Sequence, residues 1–490
     1  MTATEWRRLS PRMLLVHPIH EVLRQLPLLI GSVVLGTATG NPLWSVAALV
    51  LLVAYGIARW FTTTYRIDAE QIQRREGVLQ RTVLSVPRNR IRSVSTDARL
   101  LHRLLGLTVV KVSTGQEAKG DTEFALDAVR VEEVTDLRAM LLVDAPGPGP
   151  SSAQAPAVVL ARWEPSWLRY SPLSLTGLAM IAAVVGVVYQ TGAVAALEDS
   201  ELAQAGLDTA QRLGVVVTVA AAGLAVLVAS VTLSVLRSLV TFGNLVLSRR
   251  DDGEGGDRVL HLTHGLLRVR EHTYDMRRLR GGTLREPLLV RAFGGARLDA
   301  VMTGVDGSGE ASLLLPPCPR STAERVLFDL TAAEVGGELR RHGRVAARRR
   351  STRALALPVV AAVAAVVWSA PPWAWALLAV GTAACAFLGF DRARSLGHRV
   401  GDGWLVARSG SLDRRRDCIA AAGVIGWTVR QTWFQRRAGV ATLVAATAAG
   451  VKGYRVLDVP AEWAWSIAAE ATPWVGRTEW AASQTYTASA

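Results

Sequence analysis

The sequence predicts a membrane α + β protein in which three two-helix transmembrane hairpins alternate with three β-rich domains, each closed by a C-terminal helix. Three observations predict it. Apolar stretches at residues 25–58, 170–236 (broken by one acidic loop) and 354–390 are each followed by a polar segment of similar size. The polar segments share a glycine frame. Half of the 490 residues are hydrophobic and 20% are charged, too apolar for an ordinary soluble chain and too charged for one buried wholly in lipid.

One spanning helix takes about 20 apolar residues. Residues 25–58 carry no charge and suffice for two helices, with Asn41-Pro42 as the turn. Residues 354–390 repeat this plan around Pro371-Pro372. The middle pair, 170–197 and 213–236, is separated by a loop bearing Glu198, Asp199, Glu201 and Asp208. Arginines flank every pair: Arg7, Arg8, Arg12 and Arg24 before the first, Arg162 and Arg169 before the second, and a run from Arg340 to Arg353 before the third. The turns are nearly free of basic charge, Arg212 excepted. The positive-inside rule then puts both termini and all polar segments in the cytoplasm, at the inner membrane of a bacterial cell. Trp44, Trp60, Trp368 and Trp373 lie near helix ends, where aromatic anchors belong. No Asp, Glu, Lys, Arg or His lies inside a proposed helix, so a transport path has no sequence support. No cleaved signal peptide is expected at the N-terminus.

The resulting organisation is a cytoplasmic segment 1–24, hairpin 25–60, domain 61–144, linker 145–169 and hairpin 170–238. It continues with domain 239–337, basic linker 338–353, hairpin 354–390, a degenerate domain 391–474 and a disordered tail 475–490.

In the first polar segment, Tyr65–Ile67, Ile72–Arg75 and Val78–Val86 read as strands joined by turn residues, with later strands at Leu107–Ser113 and Thr122–Leu126. Val134, Leu137 and Leu141 give Val129–Leu142 a helical face. The other segments align without gaps. Gly77 and Gly106 stand 29 positions apart, as do Gly265 and Gly294, and Gly410 and Gly439. Leu79, Leu267 and Leu412 correspond in that frame, as do Arg103, Arg291 and Arg436. A capping box is expected at Ser321 and Glu324.

Tyr65-Arg66-Ile67, Gly77-Val78-Leu79-Gln80-Arg81, Val86-Pro87 with Ile91-Arg92-Ser93-Val94, and the run Leu100 to Leu107 carry a family resemblance. They resemble the bacterial pleckstrin-homology-like (PH-like) domain of YdbS/YdbT-type membrane proteins, whose alternating layout is also similar. The resemblance implies that each domain is a small β-sandwich or partly open barrel capped by a helix. It implies no catalytic residue.

A net charge of +14 invites a nucleic-acid reading, but arginines that orient membrane helices and face anionic lipid account for it. Cys318, Cys385 and Cys418 have neither zinc spacing nor an even count. His261, His264 and His272 lack the glutamate of a zinc-protease motif, and no metal or cofactor is expected. Arg88, Arg90 and Arg92 alternate, which on a strand gives one face, and Arg278 and Arg280 occupy the equivalent region of the second repeat. These are the candidate contacts to anionic headgroups or a protein partner. The functional expectation is a non-enzymatic scaffold or binding module at the inner membrane surface, its partners anionic lipid and an unidentified membrane or cytoplasmic protein. The alternative is a component of a transport or export system.

Overall fold

The computed structural model describes residues 6–8, 10–13, 43–68, 70–77, 81–88, 91, 93–98, 100–113, 124–134, 137, 157–174, 179–183, 185–186, 214–251, 258–305, 311–332 and 337–477. It divides into two compact units, one of residues 1–162 with 243–278 and one of residues 163–242 with 279–490.

In the first unit, helix α1 (Leu43–Thr62) leads into an antiparallel sheet. Its strands are β1 (Arg7–Arg8), β2 (Thr64–Ile67), β3 (Gln71–Glu76) and β4 (Thr82–Pro87), in that spatial order. A seven-stranded sheet follows, built from β5 (Ser93–Ala98), β6 (Leu107–Ser113), β7 (Phe124–Arg130), β8 (Val158–Arg162), β9 (Val246–Asp251), β10 (Arg258–His264) and β11 (Val269–Asp275). Its order is β7-β6-β5-β11-β10-β9-β8. A short helix, α2 (Leu100–Leu104), links β5 to β6. Alternating residues of the strands meet in a core of Ile72, Val86, Val94, Leu107, Val110 and Phe124. Arg74 also turns inward, and it is held there by Glu76 at 2.8 Å and by the Ala125 carbonyl.

The second unit contains α3 (Val215–Phe242) and a six-stranded sheet. That sheet joins β12 (Leu279–Pro287), β13 (Gly295–Met302) and β14 (Leu313–Pro319) to β15 (Gly397–Gly401), β16 (Trp404–Ser409) and β17 (Asp413–Ala420), in the order β14-β13-β12-β17-β16-β15. Helices α4 (Leu288–Ala292) and α5 (Arg320–Thr331) belong to its first half. Helices α6 (Gly343–Val367) and α7 (Pro372–Ser395) precede its second half, and a three-stranded sheet of β18 (Val424–Arg430), β19 (Val440–Thr447) and β20 (Gly453–Pro460) completes the unit, with α8 (Trp433–Arg437) and α9 (Trp463–Ala471). Helix α9 buries Ala464, Ile467, Ala468 and Ala471, one helical stripe, against Leu405, Leu443 and Val456.

Among the described residues, Val216–Phe242, Gly343–Val367 and Pro372–Ser395 are long and apolar enough to cross a membrane. The last two are α6 and α7. They pack side by side: a Cβ on Gly389 would stand 2.7 Å from that of Ala354. Small residues permit this approach. The first helix expected in residues 25–58, up to the turn at Asn41-Pro42, lies outside the described residues, as do residues 187–197 of the helix expected at 170–197 and the acidic loop after it.

Several local expectations differ. The third strand runs Thr82–Pro87, Arg81 stands outside it and residues 78–80 of the expected strand lie outside the described residues; β7 runs on through Arg130, so the helix expected from Val129 begins after it. No capping box forms at Ser321: the N-cap is Pro319, two residues earlier, and Glu324 pairs with Arg320 at 2.9 Å. Residues Arg344–Arg353 of the expected basic linker are the first turns of α6. Within the expected linker 145–169, Val158–Arg162 form β8. Tyr170, expected to open a membrane helix, is fully buried, with its ring against Gly295. Val475, placed in the tail, is buried too.

Candidate interaction surfaces

Successive repeats share their sheets, and this sharing creates the best-defined surfaces in the molecule. Within the first unit, β5 of the first repeat pairs antiparallel with β11 of the second, from Val269 opposite Ala98 to Thr273 opposite Val94. Side chains reinforce the ladder. Arg268 forms a bidentate pair with Asp97, and Thr96 donates to Glu271 at 3.1 Å. Burial pushes the Asp97 carboxyl up, but the hydrogen bond from Arg268 and the charges of Arg268, Arg270 and Lys111 outweigh it and hold the group below the ordinary carboxylate range. From α2, Arg103 donates to the Leu266 carbonyl at 2.9 Å.

Within the second unit the joint recurs. Strand β12 of the second repeat pairs with β17 of the third, from Gly281 opposite Ile419 to Pro287 opposite Asp413. Gly281 has φ 141°, and a Cβ there would fall 1.9 Å from the Cys418 carbonyl oxygen, so only glycine lets the strands close. Thr283 donates to Asp417 at 2.8 Å. Burial raises the Asp417 carboxyl despite that hydrogen bond and the nearby Arg415 and Arg285. Arg291 of α4, the counterpart of Arg103, reaches Asp391 at 2.8 Å, and Asp391 also takes Arg414 at 2.7 Å and the Ser411 hydroxyl at 2.8 Å. The Leu288 amide donates to the Leu412 carbonyl at 2.8 Å.

The register of the two joints is identical in the glycine frame. Thr273, eight positions after Gly265, faces Val94, seventeen after Gly77. Cys418, eight after Gly410, faces Gly282, seventeen after Gly265. The frame glycines themselves adopt positive φ. Gly77, Gly265 and Gly410 lie between 100° and 122°, at the hairpin before the joint strand; Gly106, Gly294 and Gly439 lie between 64° and 73°, after the short helix. Both conformations exclude most L-residues.

The arginines singled out from sequence are dispersed. Strand β4 ends at Pro87 and β5 begins at Ser93, so Arg88 lies in a turn and does not continue the strand; Arg90 and Arg92 lie outside the described residues. Arg278 pairs with Asp275 at 3.6 Å, and the Arg280 stem lies along Gly423. The basic run divides three ways. Arg349 and Arg350 clasp the fully buried Asp458, which Gln435 also contacts at 2.9 Å. Arg340 stacks on the Trp463 ring at 3.7 Å. Arg341, Arg344, Arg348 and Arg353 are exposed.

His264 stacks on His272, and His261 contacts Thr273 at 3.1 Å. Among the described residues no group of three His, Cys, Asp or Glu is placed to hold a metal. Burial pushes the thiols of Cys318 and Cys418 up to about 12, which removes thiolate chemistry at neutral pH. A histidine pair was not foreseen. His342 Nε2 lies 2.9 Å from His398 Nδ1, and His342 Nδ1 lies 2.7 Å from the Leu457 carbonyl oxygen. A carbonyl only accepts, so His342 donates from Nδ1 and, while neutral, accepts from His398 at Nε2.

Residues 22–144 and 352–468 match the family model described as Bacterial PH domain. The two matches support a protein carrying bacterial PH domains, and PH-like sheet domains of this kind suggest a binding or scaffold module. Each matched region takes in an apolar stretch together with the sheet domain after it. Residues 239–337 lie outside both matches, whereas the third repeat, in which the motif is weakest, lies inside one. No curated protein and no solved structure matches the chain.

Proposed function

We propose that the chain is a multi-pass protein of the bacterial inner membrane, of the YdbS/YdbT type, that presents three PH-like domains to the cytoplasm as a non-catalytic scaffold or binding module. One observation carries the reading. The segment before each apolar stretch pairs with the strand after it: Arg7 with Tyr65, Arg162 with Val246, and Arg340 with His398. A chain that returns to its own exit point has crossed an even number of times or not at all. Helices α6 and α7 agree with two crossings. Exposed Arg344, Arg348, Arg353, Arg392 and Arg394 collar one end of the pair, where anionic headgroups would lie, and exposed Trp368 and Trp373 mark the other.

The reading assigns the collar to anionic lipid and leaves the sheet domains for a membrane or cytoplasmic protein. Reporter fusions after residues 145, 205 and 335 are expected to report inside, outside and inside. An outside signal at 145 overturns the orientation. Capture from crosslinked membranes is expected to recover a partner that is lost when residues 61–144 are deleted. Recovery that ignores the deletion removes the scaffold role of that domain.

A further inference from the structure

We propose that copies of this chain join head to tail, β18 of one copy pairing with β4 of the next, by the same joint the chain makes twice within itself. In the first joint the strand following the second-sheet turn of one repeat (β5) meets the third strand of the next repeat (β11); in the second joint β12 meets β17. The first repeat has the same third strand, β4, and the third repeat has the same following strand, β18. Both stand at the end of their sheets, whose orders are β1-β2-β3-β4 and β18-β19-β20. Among the described residues neither has a neighbour on its outer side. One terminal repeat thus offers the half of the joint that the other lacks.

The composition of the two edges fits pairing. An edge that must stay single is normally short, bulged or charged. Strand β4, TVLSVP, has no charge, and β18, VIGWTVR, has one, at its end. Val83 is 53% exposed. Strand β18 carries a bulge at Ile425, fifteen positions after Gly410, as the joined β12 does at Arg280, fifteen after Gly265, so the bulge does not bar pairing. The shared register sets Thr82 opposite Arg430 and Ser85 opposite Trp427, the places held by Arg270 opposite Asp97 and Thr273 opposite Val94. Pro87, which has no amide to give, stands ten positions after Gly77. The internal ladders end at position eight or nine, so it lies past the joint.

A second observation points the same way. Arg103 and Arg291 each leave the short helix after the joint strand and fasten the next repeat, Arg103 at the Leu266 carbonyl and Arg291 at Asp391. Arg436 holds the same frame position on α8, is exposed, and has no side-chain partner among the described residues. In a joined copy it takes the role of Arg103. A joint between two different faces is heterologous, so repetition gives a closed ring or an open filament along the membrane.

The test is disulfide crosslinking of the full chain in its membrane. Thr82→Cys with Arg430→Cys in one chain is expected to give a ladder of dimers and higher species on oxidation. Mixing a Thr82→Cys chain with an Arg430→Cys chain should stop at the dimer. Adding Val83→Lys, a charge on an exposed edge position, should abolish the ladder while the thermal midpoint stays within a degree or two, and Arg436→Ala should weaken it. A product crosslinked only within one chain overturns the proposal, as does a Thr82→Cys chain that crosslinks to itself. A wild-type mass of one chain in mild detergent, with no crosslink in the membrane, overturns it as well.

Discussion

The two buried histidines show how single residues couple this fold to pH. His398 is 3% exposed, and burial, followed by the nearby His342 and Arg340, pushes its pKa down to about 4. Burial likewise lowers His342, against the opposing effects of the Leu457 carbonyl and Asp458. The unfolded chain takes up these protons near pH 6.5, before the folded chain can. Between pH 6.5 and 4 the unfolded state therefore binds more protons, and stability rises with pH across that window. The contribution of His398 is complete above pH 6.5 and is lost as the pH falls to 4, a change on the order of 2 to 3 kcal/mol. Thermal unfolding followed by tryptophan fluorescence in detergent is expected to show a falling midpoint over this range. His398→Gln should flatten that part of the profile. An unchanged slope in the variant would mean that other groups carry the acid sensitivity.

At the scale of elements, the start of α6 is pinned to β20 by charge. Asp458, fully buried at φ 53°, receives Arg349, Arg350 and the Gln435 amide. Removing one member of such a cluster strands the others in low dielectric. Asp458→Ala is therefore expected to cost about 3 to 5 kcal/mol. Arg344→Ala and Arg348→Ala, at exposed positions of the same helix, should change stability by no more than about 0.5 kcal/mol. Chemical denaturation of the three variants separates the structural from the superficial arginines of a run that is uniform in sequence. Composition marked the run but not its division, because Asp458 lies more than a hundred positions away. The same contrast governs what was legible elsewhere. Strand Leu107–Ser113 is readable because β-branched residues crowd it, with Leu107 to Val110 buried on both faces, and it is found with those bounds as β6. Strand β5, SVSTDA, has little apolar signal, and it is held on one side by the neighbouring β11 and the Arg268–Asp97 pair. The repeated Arg103, Arg291 and Arg436 were visible as a pattern; their purpose required the carbonyl and carboxylate supplied by the following repeat.

For the whole molecule, shared sheets mean that sequence repeats and cooperative units do not coincide. The second repeat gives β9, β10 and β11 to the sheet of the first unit and β12, β13 and β14 to that of the second. Cutting the covalent chain between repeats leaves the ladders intact: five residue pairs join β5 to β11, and seven join β12 to β17. At about 1 kcal/mol for each net hydrogen bond, before any side-chain contribution, each joint outlasts mild detergent. Protease sites placed in residues 146–156 and 333–336 are therefore expected to yield three pieces that elute together and separate only on unfolding. Beads on a string would behave differently, each repeat leaving with its own hairpin. Coelution alone could come from the apolar helices, so the decisive comparison weakens one joint. Asp97→Ala removes the acceptor of Arg268 at the first joint alone. It should release the piece that ends near residue 145 at lower denaturant, while the other two stay together. Simultaneous release of all three, or no change, would show that the sheets are not what holds successive repeats.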